Sequence, residues 1–338
     1  MGITIIMPVF NGAKTIDRAV GSYLELSRLS KNFNIQSNLL IINDNSEDET
    51  DQTLTKYELF YDIKIYKNEV NIGPGLSRNK ALSIVETKYV GFLDADDELV
   101  PSNYLEALMG GIARNADLIT FNGDIRKDKI NTEKYDFFRI IDNDEYLIEK
   151  CLKGELDGSV IFSIYNTKMI KDQNIAFSNH YYEDIIFAYS ALIYSKKREI
   201  VNIKSYIKHN TNNSIVNTIS EKHILGLLDV LINLKNKIEK DFPSITSMED
   251  FFCYGLRGFI AKIILDTLNS NLGEDNKMKL LLFLKEEILA TDILKSLKQS
   301  DKTNKDKITD LYYSSFINNS SEIDYSLFKL NCSFLQKL

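Results

Sequence analysis

The sequence predicts an α/β fold with a mostly parallel central sheet flanked by helices, followed by an all-helical C-terminal extension. Three observations carry this. Over residues 3–122 short apolar runs alternate with stretches of helical period, the pattern of a sheet covered by helices. Three of the four prolines, Pro8, Pro74 and Pro101, stand beside or just past the ends of those runs, where they shape loops instead of breaking elements. After about Ser220 the chain reads almost wholly helical.

Strands are expected at residues 3–9, 39–42, 63–66, 89–93 and 118–121. Between the first two, Ile16, Ala19, Val20, Tyr23 and Leu24 fall on one helical face. Ser46 and Glu49 have the spacing of a capping box for the next helix, and Asp97 or Ser102 is placed to cap a helix near Tyr104. Residues 125–206 give mixed signals: an apolar segment at 160–165, a short helix from Thr167 and a longer one over 183–194. The helical region opens with Ile224, Leu227, Leu228, Ile232 and Leu234 and continues over 251–268 and 278–289. Polar links separate these at 241–249 and 269–276, and residues 300–307 read as a polar linker.

At 338 residues the chain is long enough for two domains. A net charge of −7 argues against nucleic acid as the main partner, because binding phosphate needs a basic face. Cys151, Cys253 and Cys332 are odd in number, far apart and outside metal-ligand spacing, so reduced thiols in a cytoplasmic protein are expected. No signal peptide and no membrane-spanning segment is read.

The most informative cluster follows the apolar run 89–93, where Asp94-Ala95-Asp96-Asp97 crowds three carboxylates at a strand end. Like charges so close oppose one another's ionisation. A hard divalent cation relieves that, and oxygen ligands on a tight turn suit Mg or Mn with substrate phosphates. The competing reading is an ordinary acidic turn. In an open α/β sheet the loops at the carboxyl ends of the strands hold the ligand. Pro8, Asp44, the loop 73–75 and the acidic cluster all belong to that rim.

Five motifs occur in order: Met7-Pro8-Val9-Phe10-Asn11; Ile42-Asn43-Asp44-Asn45-Ser46-Glu47-Asp48-Glu49-Thr50; Asn71-Ile72-Gly73-Pro74-Gly75-Leu76-Ser77-Arg78-Asn79; Leu93-Asp94-Ala95-Asp96-Asp97; and Asn174-Ile175-Ala176-Phe177 leading to Tyr182-Glu183-Asp184-Ile185-Ile186-Phe187. In order and spacing they resemble the inverting family 2 glycosyltransferases, which have the GT-A fold, over roughly residues 1–215. Asn43 departs from the family's first acid and Asn45 from its glycine. The resemblance implies a GT-A domain over 1–217, with a nucleotide-binding half at about 1–100 and an acceptor half at 101–217, and a helical domain over 218–338.

The resemblance also implies roles. Pro8, Val9 and Phe10, with Asn11 beside them, would line the nucleobase, and Asp44 would accept a hydrogen bond from a base imide, a contact that fits uracil. Arg78 would lie near the base or diphosphate. Asp94, Ala95 and Asp96 would form the diphosphate end: Asp94 contacts the ribose or the metal shell, Asp96 coordinates Mn or Mg, and Asp97 supports the loop. Asp184 would be the general base, with Glu183 the other candidate. Lys208 would neutralise phosphate charge, and His209 would be a metal ligand. Each has a plainer alternative: core packing for Phe10, a turn acid at Asp44, a solvent-facing charge at Arg78, helix-dipole acids at Glu183 and Asp184, and a packing or surface residue at His209.

The function implied is a metal-dependent inverting glycosyltransferase that moves a sugar from a nucleotide sugar, expected to be a uridine diphosphate sugar, to a hydroxyl of a cell-surface or lipid-linked glycan. The alternative is a non-catalytic nucleotide- or sugar-binding module acting through its C-terminal helices. A haloacid-type phosphatase is excluded because Glu98 stands where a Thr or Val is needed, and its nucleophile belongs near the first strand. A sugar-nucleotide-forming nucleotidyltransferase is disfavoured because the first loop lacks a glycine-rich, Arg-containing signature. The helical third packs on the catalytic domain, forms a homo-oligomer interface, or lies peripherally at the inner face of a membrane; Lys235, Lys237 and Lys240 suit the last equally with a solvated helix face.

Overall fold

The computed structural model describes residues 1–127, 130–131, 148–149, 151–152, 158–209, 219–244, 248–290, 304–317 and 325–337. The expected domain boundary at 217 lies outside them. The chain divides into two compact units: one draws on Met1–Asp142, Gly158–Asn179 and Glu183–Asn212, the other on Asn143–Asp157, His180–Tyr182 and Asn213–Leu338.

The first unit is built on one sheet. Its strands are β1 (Gly2–Val9), β2 (Gln36–Asn43), β3 (Ile63–Lys67), β4 (Tyr89–Phe92), β5 (Glu98–Leu99), β6 (Leu118–Lys127), β7 (Ile130–Asn131), β8 (Ser163–Asn166) and β9 (Arg198–His209). They lie in the order β3-β2-β1-β4-β8-β6-β9-β5, with β7 on β6. β1 pairs in parallel with β2 and β4, β2 with β3, and β6 with β9, while β8 runs antiparallel between β4 and β6. Every residue of β1 is buried, as expected of a strand covered on both faces. The expected strand at 118–121 extends to Lys127 because it pairs with β9, which its weak burial alternation hides from sequence reading.

Helices α1 (Ile16–Lys31), α2 (Thr50–Thr55), α3 (Pro74–Ile84), α4 (Pro101–Arg114), α5 (Thr167–Asp172) and α6 (Glu183–Tyr194) accompany the sheet. α1 buries Ile16, Ala19, Val20, Tyr23 and Leu26, the helical stripe expected of a face against the core. The Ser46–Glu49 capping box does not form. Helix α2 starts only at Thr50, Asp48 accepts the Thr50 N–H at 3.0 Å, and Ser46 Oγ accepts from Asn11 instead. Neither Asp97 nor Ser102 caps α4, which begins at Pro101 after an uncapped Val100.

An aromatic cluster fixes where α6 begins relative to β4. Phe92 meets Tyr165, Phe177 and Phe187 edge-on at 5.6, 5.3 and 5.5 Å, and Phe177 stacks on Phe187 at 4.1 Å. Such ring pairs are worth about 0.5–1.5 kcal/mol each beyond their buried area. Gly91 admits the Tyr104 ring beside β4, since a Cβ there would lie 2.0 Å from the phenol oxygen.

The second unit contains α7 (Glu221–Asp241), α8 (Met248–Asn269), α9 (Glu274–Ala290), α10 (Asn304–Tyr312), a π turn (Tyr313–Ile317) and α11 (Tyr325–Lys337). α7 buries Ile224, Leu227, Leu228, Leu231, Leu234 and Ile238, and the rings of Tyr312, Phe316 and Phe328 pack together. Residues 304–307 of the expected polar linker belong to α10, and residues 300–303 lie outside the described ones. Cys151, Cys253 and Cys332 are buried. Among the described residues no helix is long and apolar enough to cross a membrane.

Candidate active site

The rim at the carboxyl ends of β1 and β2 is stitched by side-chain hydrogen bonds. Asn11, at φ 52°, donates its N–H to Ser46 Oγ at 3.0 Å and accepts from the Glu47 N–H at 2.9 Å. Gly12 N–H donates to Thr50 Oγ1 at 2.9 Å. Asn45 has φ 60°, a left-handed conformation that Asn tolerates better than most residues, which explains its presence where the family has glycine. Asn43 is fully buried, donates to Asp51 and accepts the Ser46 N–H at 3.0 Å.

Asp44 is 2% exposed and accepts three hydrogen bonds: Asn68 Nδ2 at 2.7 Å, Ile72 N–H at 2.9 Å and Gly73 N–H at 2.7 Å. A carboxylate offers about four lone-pair sites, so in this structure Asp44 chiefly organises the loop before α3. Pro8 and Val9 are buried within β1, whereas Phe10 is 47% exposed and is not a core residue.

After β4 the chain turns through Asp94–Asp97, closed by the Asp97 N–H on the Asp94 carbonyl at 3.0 Å. β9 braces the turn. Tyr206, fully buried, accepts the Asp94 N–H at 3.1 Å and donates to Asp97 Oδ2 at 2.9 Å, and the His209 N–H donates to Asp97 Oδ1 at 2.7 Å. Burial, with the charges of Asp94 and Asp96, pushes the Asp97 carboxyl up to about 8. Asp96 and Ala95 are half-buried, and the Asp96 carbonyl accepts from Arg18.

Arg78 is 5% exposed, not solvent-facing. Its guanidinium donates through Nη2 to Asp94 Oδ1 at 2.7 Å and through Nη1 to Glu183 Oε1 at 2.8 Å. Burial opposes its charge, but Asp94, Glu183 and Asp184 hold it protonated. Asp184, next to that pair at the start of α6, is half-buried. Burial and the Glu183 charge push its carboxyl up to about 7, against the downward pull of Arg78 and Lys208. A carboxyl poised near neutrality can take a proton from a hydroxyl.

The turn's oxygen-only donors fit Mg or Mn, which take one or two carboxylates and fill the rest of the shell with phosphate and water. Among the described residues no three His, Cys, Asp or Glu side chains converge as a ready-made metal cage. His209 is not gathered with Asp94 and Asp96; its Nε2 lies 2.8 Å from Glu98 Oε1. Sequence reasoning misses Tyr206 and Asn79. Tyr206 becomes visible only through the pairing of β9 with β5, whereas Asn79 stands in the third motif beside Arg78.

The described architecture is that of a GT-A glycosyltransferase. The crystal structure of Staphylococcus aureus TarS 1–349 in complex with UDP-GlcNAc superposes on it with a TM-score of 0.74 and 17% identity, covering 100% of this chain and 92% of that one. A mannosyltransferase from Pyrobaculum calidifontis in complex with GDP-Man and Mn2+ gives a TM-score of 0.51 at 11% identity, covering 99% of this chain and 86% of that one. The processive diacylglycerol beta-glycosyltransferase of Mycoplasma genitalium is 23% identical over 245 residues, 67% of this chain and 69% of that protein. The model of glycosyl transferase family 2 matches residues 4–173, half of the chain, and the chain belongs to that family.

Proposed function

We propose that this chain is an inverting glycosyltransferase that moves a sugar from a uridine diphosphate sugar to a hydroxyl of a cell-surface polysaccharide or lipid-linked glycan. The observation that carries the reading is the pair of ion pairs from Arg78 to Asp94 and Glu183, which joins the acidic turn to the start of α6 where Asp184 stands. The UDP-GlcNAc bound by TarS supports the uridine donor, and the diacylglycerol acceptor in the Mycoplasma relative's name supports a lipid-linked one.

In this reading Asp184 takes the proton of the acceptor hydroxyl as its oxygen attacks the anomeric carbon from the face opposite the diphosphate, and one displacement inverts the configuration. Phe10 offers exposed ring surface to the base, and Lys208 lowers the local negative charge. Asp96 with Asp94 would hold a Mg or Mn ion, which would supply charge neutralisation for the departing diphosphate.

The test is a panel of nucleotide sugars with Mn or Mg, following nucleoside diphosphate release with and without hydroxyl acceptors. Release from a uridine donor is the expected result. No release from any donor would leave the non-catalytic binding module as the better reading.

A further inference from the structure

Helix α3 grips the segment leading into α6 at three places. Gly75 lies so close that a Cβ there would sit 2.6 Å from Glu183 Cγ and 2.6 Å from the Ser178 carbonyl oxygen. The Asn79 side chain takes both backbone groups of Phe177, accepting its N–H at 2.9 Å and donating to its carbonyl at 2.8 Å. Between them the Arg78 guanidinium lies 5.3 Å from the centre of the Phe177 ring and divides its terminal nitrogens between Glu183 and Asp94. Phe177 in turn stacks on Phe187, within α6 itself.

We propose that Arg78 is a positioning residue: acting through Glu183 and Asp94, it sets the distance between the Asp184 base and the turn that receives the donor diphosphate. This rests on the transfer reading above. The nitrogens of a planar guanidinium are rigidly spaced, so two carboxylates bonded to different nitrogens are held at a fixed separation. The Arg78 Nε–H is buried without a hydrogen-bond partner. A site selected only for stability would disfavour that unpaired donor. Lysine keeps the charge but presents a single nitrogen and cannot reproduce the fork. Displacement at an anomeric centre is sensitive to such spacing, since misplacement by about 1 Å costs on the order of 100-fold in rate.

Arg78→Lys is compared with the unmodified protein by hydrogen exchange and by steady-state release of nucleoside diphosphate from the accepted donor. The proposal expects exchange across residues 177–187 to accelerate about tenfold, the loss of one charge-assisted hydrogen bond. It expects kcat to fall roughly 100-fold while the donor KM moves by less than about threefold. Asn79→Ala, which cuts the Phe177 clamp but leaves the guanidinium in place, lowers kcat in the same direction. If Arg78→Lys does not fold, Glu183→Gln breaks the same ion pair with little change of shape and is read by exchange across residues 177–187 alone, because Glu183 is itself a candidate base. A raised donor KM with kcat intact overturns the proposal, because Arg78 would then serve donor binding alone. Unchanged exchange across 177–187 overturns it as well. If the unmodified protein releases no diphosphate from any donor, the transfer reading fails, while the exchange comparison still decides whether Arg78 holds this segment in place.

Discussion

Replacing Asp184 with asparagine tests the base assignment through two opposite effects. The amide cannot accept a proton, so transfer falls by roughly 100- to 10,000-fold, the usual contribution of a positioned base, while donor binding persists. The wild-type pH profile carries its own signature. With the carboxyl pushed up to about 7 by burial and Glu183, the rate rises about tenfold per pH unit below that value and levels off above it.

Stability moves the other way. The folded pKa lies above the ordinary aspartate value of 3.8, so between the two the native state keeps a proton that the unfolded chain has released. The Asp184 contribution to native stability therefore declines as pH rises through this window and is flat above about 7. The amide of the Asp184→Asn variant does not titrate, so thermal unfolding should show the variant gaining on the wild type from about pH 4 to pH 7 and keeping a constant difference from it beyond. Initial rates and unfolding midpoints across that range are the assay. A rate profile flat through neutrality, or a variant that keeps wild-type turnover, would refute the reasoning.

Other perturbations probe the surrounding structure. Asp96→Ala should weaken nucleotide binding in the presence of Mn or Mg and leave it unchanged under chelation; titration calorimetry showing equal loss in both conditions would remove Asp96 as a ligand. Gly75→Ala forces a methyl group against Glu183 and the Ser178 carbonyl and should cost about 1–3 kcal/mol in denaturant unfolding, with turnover reduced further than the folded fraction predicts. Tyr206→Phe removes the hydroxyl shared by Asp94 and Asp97 and should cost about 1–3 kcal/mol, the penalty for buried polar groups left unpaired; an unchanged unfolding midpoint would mean the turn does not depend on β9.

Much of the rim is legible in the sequence because turns and strand ends are written in short segments. The run 89–93 followed by three acids announces a strand and a turn, and α6 begins at Glu183 as its acidic first turn predicts. Capping chemistry misleads at Ser46, whose hydroxyl accepts from Asn11, 35 residues away, instead of from its own helix. The His209 ring lies against Glu98, a neighbour that sequence alone does not reveal because it depends on β9 running antiparallel to β5.

The sequence by itself determined the alternation of strands and helices, the order of the motifs and the kinds of side chain on the rim. These follow from local periodicity and turn chemistry, which each segment carries unaided. Tertiary structure decided which groups face one another. Arg78 reaches Glu183 across 105 residues and Tyr206 reaches Asp97 across 109, contacts set by strand order and register. Such long-range pairs depend on how buried apolar surfaces dock, and that docking converts a row of separate acids into one connected site.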